Sequence, residues 1–114
     1  MEVTVREEAA ATVAVLTGSL DGTTAEAVSK RLGELVSAGA QRLVLDFAAV
    51  GYVSSAGLRV LLGSVKETRR QGGDLRLAAV RPEVRKVLDL SGFTSILKLF
   101  PAVDDALASF APAR

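Results

Sequence analysis

Three short apolar runs, 42-RLVLDF-47, 75-LRLAAV-80 and 95-SILKLF-100, constrain this chain more than any other feature. A strand with one wet face alternates apolar and polar residues. A strand that is apolar at successive positions has to be covered on both faces, as parallel strands lying between helices are. The segments between these runs have the helical period. In 23-TTAEAVSKRLGELVSAG-39, Val28, Leu32, Leu35 and Val36 form one stripe, Thr23 and Glu26 have capping-box spacing, and Gly39 supplies a stop. Leu58, Leu61, Leu62 and Val65 mark a second helix, ending at the Gln71-Gly72-Gly73 turn. Pro82 opens a third, with Val84, Val87 and Leu88 on its face and Gly92 as its stop. Val103, Ala106, Leu107 and Phe110 mark a short last helix.

Ahead of these units, Val3 and Val5, then Val13 and Val15, alternate as in two strands. The polar Arg6-Glu7-Glu8 reads as the turn of a hairpin, and 18-GSLDG-22 as a loop. The order is therefore ββαβαβαβα. It predicts one α/β domain over residues 1–114, with a mixed sheet of an N-terminal hairpin strand followed by parallel strands, and about four helices packed on it. The terminal 111-APAR-114 is expected to fray.

Composition excludes several chemistries. The 114 residues contain no histidine and no cysteine. Serine or cysteine nucleophiles activated by histidine are therefore ruled out within the chain, as are the usual zinc sites. There is no GxxxxGK[ST] or GxGxxG loop. Asp21, Asp46, Asp89 and Asp104 are scattered and read as caps and solvated ends. No catalytic residue, metal or cofactor is expected. No apolar run is long enough to span a bilayer, and the acidic start MEVTVREEAA lacks the apolar core of a secretory signal, so a cytoplasmic protein is expected. The net charge of +1 conceals an excess of acid in residues 1–50 and of base in residues 51–90. Aromatics do not interleave with that basic half, so direct nucleic-acid binding is not expected.

The stretch 50-VGYVSSAGLRVLLGSVKE-67 places two serines where a strand gives way to a helix. One hydroxyl there can cap the helix, and one cap needs only one serine. A phosphate on the other would find a favourable helix N-terminus and would bring about two negative charges to the surface. Switching by phosphorylation without loss of the fold is thus open to this turn, beside plain capping.

Residues 43–100, with VLDF, YVSSAGL, RQGG and VRPEVRKVLDLSGF as the telling parts, resemble the STAS domain of bacterial anti-sigma factor antagonists. The similarity extends back through 18-GSLDGTTAEAV-28. The resemblance implies partner switching. The unphosphorylated antagonist binds an anti-sigma factor that is also a serine kinase, and the sigma factor is freed. Phosphorylation by that kinase, with ATP, releases the antagonist, and a serine phosphatase resets it. The family pattern is often Asp-Ser-Ser-Gly. Aligned on Gly57 and Leu58, the acceptor falls on Ser55, the aspartate on Ser54 and the second serine on Ala56. Ser55 is the first choice as acceptor and Ser54 the second. The resemblance also implies a docking surface of Asp21, Thr23, Ser54, Ser55, Ala56, Gly57, Arg59 and Lys66. No long exposed apolar stripe demands a stable dimer, so a monomer or weak dimer is expected. Two other classes stand beside this one. STAS subunits of ABC-type lipid transporters bind a permease or ATPase, and a small carboxylate enzyme is the weakest reading.

Overall fold

The computed structural model describes residues 1–111, so the fraying expected of 111-APAR-114 lies, past Ala111, outside the described residues. Five strands form one sheet in the spatial order β1-β2-β3-β4-β5, the same as their order in the chain. They are β1 (Glu2–Glu7), β2 (Thr12–Leu20), β3 (Arg42–Val53), β4 (Asp74–Ala78) and β5 (Leu99–Phe100). β1 pairs antiparallel with β2, and every later pair is parallel. The helices are α1 (Ala25–Ser37), α2 (Ser55–Arg70), α3 (Pro82–Leu90) and α4 (Val103–Phe110), with a 3₁₀ turn at Phe93–Ser95.

The continuous apolar runs are explained by helices on both faces. Leu43, Leu45 and Phe47 of β3 point to one side and are fully buried in the larger core, with Val28 and Leu32 of α1, Leu61 and Val65 of α2, and Leu88 of α3. Val44 lies between them in sequence, so it points to the other side. There it joins Val13, Ala78 and Ala106 in a smaller core under α4. Arg76 ties α4 down. Its guanidinium lies 3.9 Å from the centre of the Phe110 ring and donates to the Ser109 carbonyl at 2.9 Å. It also pairs with Asp74 at 3.0 Å, and Arg69 reaches the same carboxylate from α2 at 2.8 Å. Partial burial by itself would raise the pKa of Asp74, but hydrogen bonds from Arg69 and Arg76 outweigh it and hold the carboxyl below its ordinary range.

Five local expectations are corrected. The hairpin turn is not Arg6-Glu7-Glu8, because β1 continues to Glu7 and the chain reverses over Glu8–Ala11, with the Glu8 N–H donating to the Ala11 carbonyl. Gly18, Ser19 and Leu20 belong to β2 rather than to a loop. β3 does not stop at Phe47. It continues through Ala48–Val53, because the tail of β2 offers a partner that brings Leu20 opposite Val53. β4 ends at Ala78, where Ala79 turns into the left-handed region at φ 58°. Finally, 95-SILKLF-100 is a strand only at Leu99–Phe100. Its Leu97 instead donates to the Phe93 carbonyl in a helical turn, which buries the Leu97 side chain. The glycine stops at Gly39 and Gly92 and the opening proline of α3 are as expected.

Candidate functional site

The lengthened β3 places the serine turn. Because Leu20 and Val53 are paired, β2 and β3 end together, and the Ser54 N–H donates to the Leu20 carbonyl at 2.9 Å. The chain leaving β2, Asp21 to Thr24, therefore lies beside the first turn of α2.

The two serines have separate roles. Ser54 is the N-cap of α2, in extended conformation, and its Oγ accepts from the Gly57 N–H at 3.3 Å. Ser55, the first residue of the helix, is exposed. Ser54→Ala should therefore cost about 1 kcal/mol, the usual worth of such a cap. Ser55→Ala should stay within about 0.5 kcal/mol of the parent, as surface changes do. Urea denaturation of the two variants checks both, and equal losses would mean that the cap is shared.

Ala56 is half-buried on the following position. Gly57, expected on the docking surface, is not exposed there. It does not keep the first turn open to a partner, since it is buried and its N–H is taken by Ser54. A Cβ on Gly57 would meet the Leu20 carbonyl oxygen at 2.5 Å and the Leu20 Cγ at 2.8 Å. Its role is to let α2 close onto the end of β2. Arg59 and Lys66 are exposed on α2, and neither is ion-paired among the described residues.

Asp21 is a loop-organising carboxylate. Its Oδ1 accepts from the Thr23 N–H at 2.9 Å and from the Thr23 hydroxyl at 2.7 Å. The Thr23 hydroxyl, first among these donors, holds the carboxyl below its ordinary pKa. The expected capping box of Thr23 and Glu26 is absent. Thr24 occupies the cap position instead, with its hydroxyl turned back to accept from the Asp21 N–H and donate to the Ser19 carbonyl. Short-range hydrogen bonding of the Asp21 loop has displaced the reciprocal cap.

One feature went unread in the sequence. α1 and α2 leave a wide groove of about 640 Å³, lined by Ala25, Glu26, Ser29 and Lys30 on one side and by Ala56, Arg59 and Val60 on the other. Its end on α2 is at Ala56, the residue after Ser55. A narrower stretch continues along the same helices past Gly33 and Gly63. The helical spacing of Glu26, Ser29, Lys30 and Gly33 is visible in the sequence, but it reads only as a polar face until α2 is packed beside it.

An exposed hydroxyl thus stands at the start of a capped helix, flanked by an ordered acidic loop. The model of the STAS domain matches residues 1–106. The chain belongs to the STAS-domain family of anti-sigma factor antagonists. BtrV of Bordetella bronchiseptica, named among those antagonists, is 39% identical over 98 residues, covering 86% of this chain and 84% of its own. The anti-sigma-F factor antagonist RsfB of Mycobacterium tuberculosis is 30% identical over 105 residues, covering 92% and 85%. Among solved structures, an anti-sigma factor antagonist from Mycobacterium paratuberculosis superposes with a TM-score of 0.86 at 26% identity, over 96% of this chain and 92% of that one. The antagonist SpoIIAA has the same fold in its unphosphorylated form, with a TM-score of 0.80 at 22% identity over 95% of both chains. It has that fold in its phosphorylated form too, at 0.74 and 20%, over 96% of this chain and all of that one. Such antagonists are regulatory proteins rather than enzymes, and an anti-sigma factor is the partner their name implies. No helix among the described residues is long and apolar enough to cross a membrane.

Proposed function

We propose that this STAS protein is a cytoplasmic antagonist that acts by partner switching, with Ser55 as the phosphoryl acceptor. The observation that carries the reading is the division of labour at the turn: Ser54 holds the cap, so Ser55 is free to be modified. In the unmodified state the turn, Arg59, Lys66 and the Asp21 loop form the surface that binds an anti-sigma factor with serine kinase activity. The kinase then transfers the γ-phosphoryl group of ATP. A bond forms between phosphorus and Ser55 Oγ, the bond to the bridging oxygen of ADP breaks, and the hydroxyl proton leaves to a base of the kinase. The antagonist is a substrate in this step and not an enzyme. A serine phosphatase hydrolyses the ester and restores the binding form.

Ser54 stands where the family often has an aspartate, and the cap geometry accounts for the exchange. Serine and aspartate are comparably good N-caps, because each offers an oxygen to the N2 or N3 amide. The replacement preserves the helix start while removing one negative charge beside the acceptor.

Affinity capture from the cytosol of the producing cell, with Ser55→Ala and Ser55→Asp as baits, tests the reading. The expected result is an anti-sigma factor with kinase activity on the alanine bait and its absence from the aspartate bait. A permease and its ATPase on both baits would overturn it in favour of a transport subunit.

A further inference from the structure

Ser55 and Arg59 are four residues apart on α2, the spacing at which helical side chains meet, and both are exposed. Arg59 lies about 40° round the helix from Ser55, on the side that turns into the groove. Lys30 of α1 lines that groove from the opposite wall. Neither cation has an ion-pair partner among the described residues, although Glu26 lines the same groove. Asp21, the other nearby acid, already accepts two hydrogen bonds from Thr23. The unmodified groove mouth thus holds two unpaired cations and one carboxylate, next to the proposed acceptor.

We infer that a phosphate on Ser55 folds back onto Arg59, with Lys30 as the second cation, so that phosphorylation hides the positive charges of the docking face as well as adding a negative one. This rests on Ser55 being the acceptor. A guanidinium binds a phosphate through paired N–H donors, which makes Arg59 the stronger arm, and Lys30 acts as a point charge across the groove. At pH 7 the phosphate carries close to two negative charges, so the groups around Ser55, where Arg59 and Lys30 balance Glu26 and Asp21, become net negative in one step. A partner carboxylate that Arg59 holds in the unmodified state then loses its counter-charge and meets an anion in its place. Simple repulsion at Ser55 would leave Arg59 available to the partner.

The test uses the full chain with phosphoserine encoded at position 55, alone and combined with Arg59→Ala, Arg59→Lys or Lys30→Ala. All these positions are exposed, so the variants keep the fold. The readout is the second phosphate pKa, followed by ³¹P NMR. Opposite charge favours the dianion, so the parent phosphoprotein should titrate lowest. Arg59→Ala should raise the value by about half a pH unit, Lys30→Ala by less, and Arg59→Lys should recover part of the shift. Equal values in the parent, Arg59→Ala and Lys30→Ala would overturn the inference. Partner affinity measured on the same proteins separates the two claims. Release by phosphate without any pKa shift overturns the clamp and leaves the switch. A pKa shift without release supports the clamp and removes the switch.

Discussion

Ser55→Asp should weaken binding of the anti-sigma kinase by about 100-fold while leaving the melting temperature within about 3 °C of the parent. The two halves of this expectation have different origins. Ser55 is exposed and gives no cap to the helix, so its replacement removes no hydrogen bond that the fold needs. A carboxylate in the first turn of α2 interacts favourably with the helix dipole, worth roughly 0.3–1 kcal/mol, so stability holds or rises slightly. Binding is another matter. A negative charge at the centre of a docked surface has to be desolvated, and a misplaced like charge across an interface costs several kcal/mol. About 2.8 kcal/mol is enough for a 100-fold loss. Calorimetric titration of the partner with the parent, Ser55→Ala and Ser55→Asp provides the numbers. Ser54→Asp is the informative control: aspartate caps as well as serine does, so the same charge one residue earlier should keep the helix start intact. If Ser55→Asp bound within threefold of the parent, Ser55 would not be the switch.

How much of this was readable in the sequence depends on the range of the interactions involved. The apolar run of β3 revealed a strand covered on both faces, because burial there acts on successive residues from Leu43 to Leu45. Gly39, Gly92 and Pro82 revealed helix limits because their backbone preferences are local. The two largest misreadings occur where a distant segment decides, whereas the lost capping box of Thr23 and Glu26 is a local competition. Ala48–Val53 is a poor strand sequence, yet it pairs along Thr17–Leu20 because β2 is there to receive it. Ser95–Lys98 is apolar enough for a strand, yet it turns so that Phe93 and Leu97 can reach the core. The site divides along the same line. Two serines at a helix start are a local signal, and their separate roles could be anticipated. That Leu20 fills the space beside Gly57 and that Lys30 and Arg59 line one groove both depend on packing between elements.

Gly57 and Gly63 permit a sharper test, because alanine should act with opposite sign at two glycines of one helix. Alanine is preferred to glycine in a helix interior by about 1 kcal/mol, since glycine loses more backbone freedom on folding. At Gly63 nothing lies within 4 Å of the added Cβ, so Gly63→Ala should gain most of that amount. At Gly57 the Cβ would lie 2.5 Å from the Leu20 carbonyl oxygen and 3.0 Å from Val53 Cγ1. The Leu20 oxygen is backbone, held at the end of β2 and already accepting from the Ser54 N–H. It cannot rotate away as a side chain would, so α2 has to lift from the sheet. Overpacking of this kind costs about 1–3 kcal/mol and exceeds the propensity gain. Net of the propensity gain, Gly57→Ala should therefore lose about 1 kcal/mol and lower the melting temperature by roughly 5 °C, at about 4–8 °C per kcal/mol for a domain near this size. It should also weaken partner binding beyond what stability explains, because lifting the first turn moves Ser55 and breaks its register with the Asp21 loop. Thermal unfolding of both variants, followed by titration of the partner below the lower transition, separates the effects. A stabilised Gly57→Ala would mean that α2 does not rest on Leu20, and the alignment of the serine turn with the acidic loop would lose its structural basis.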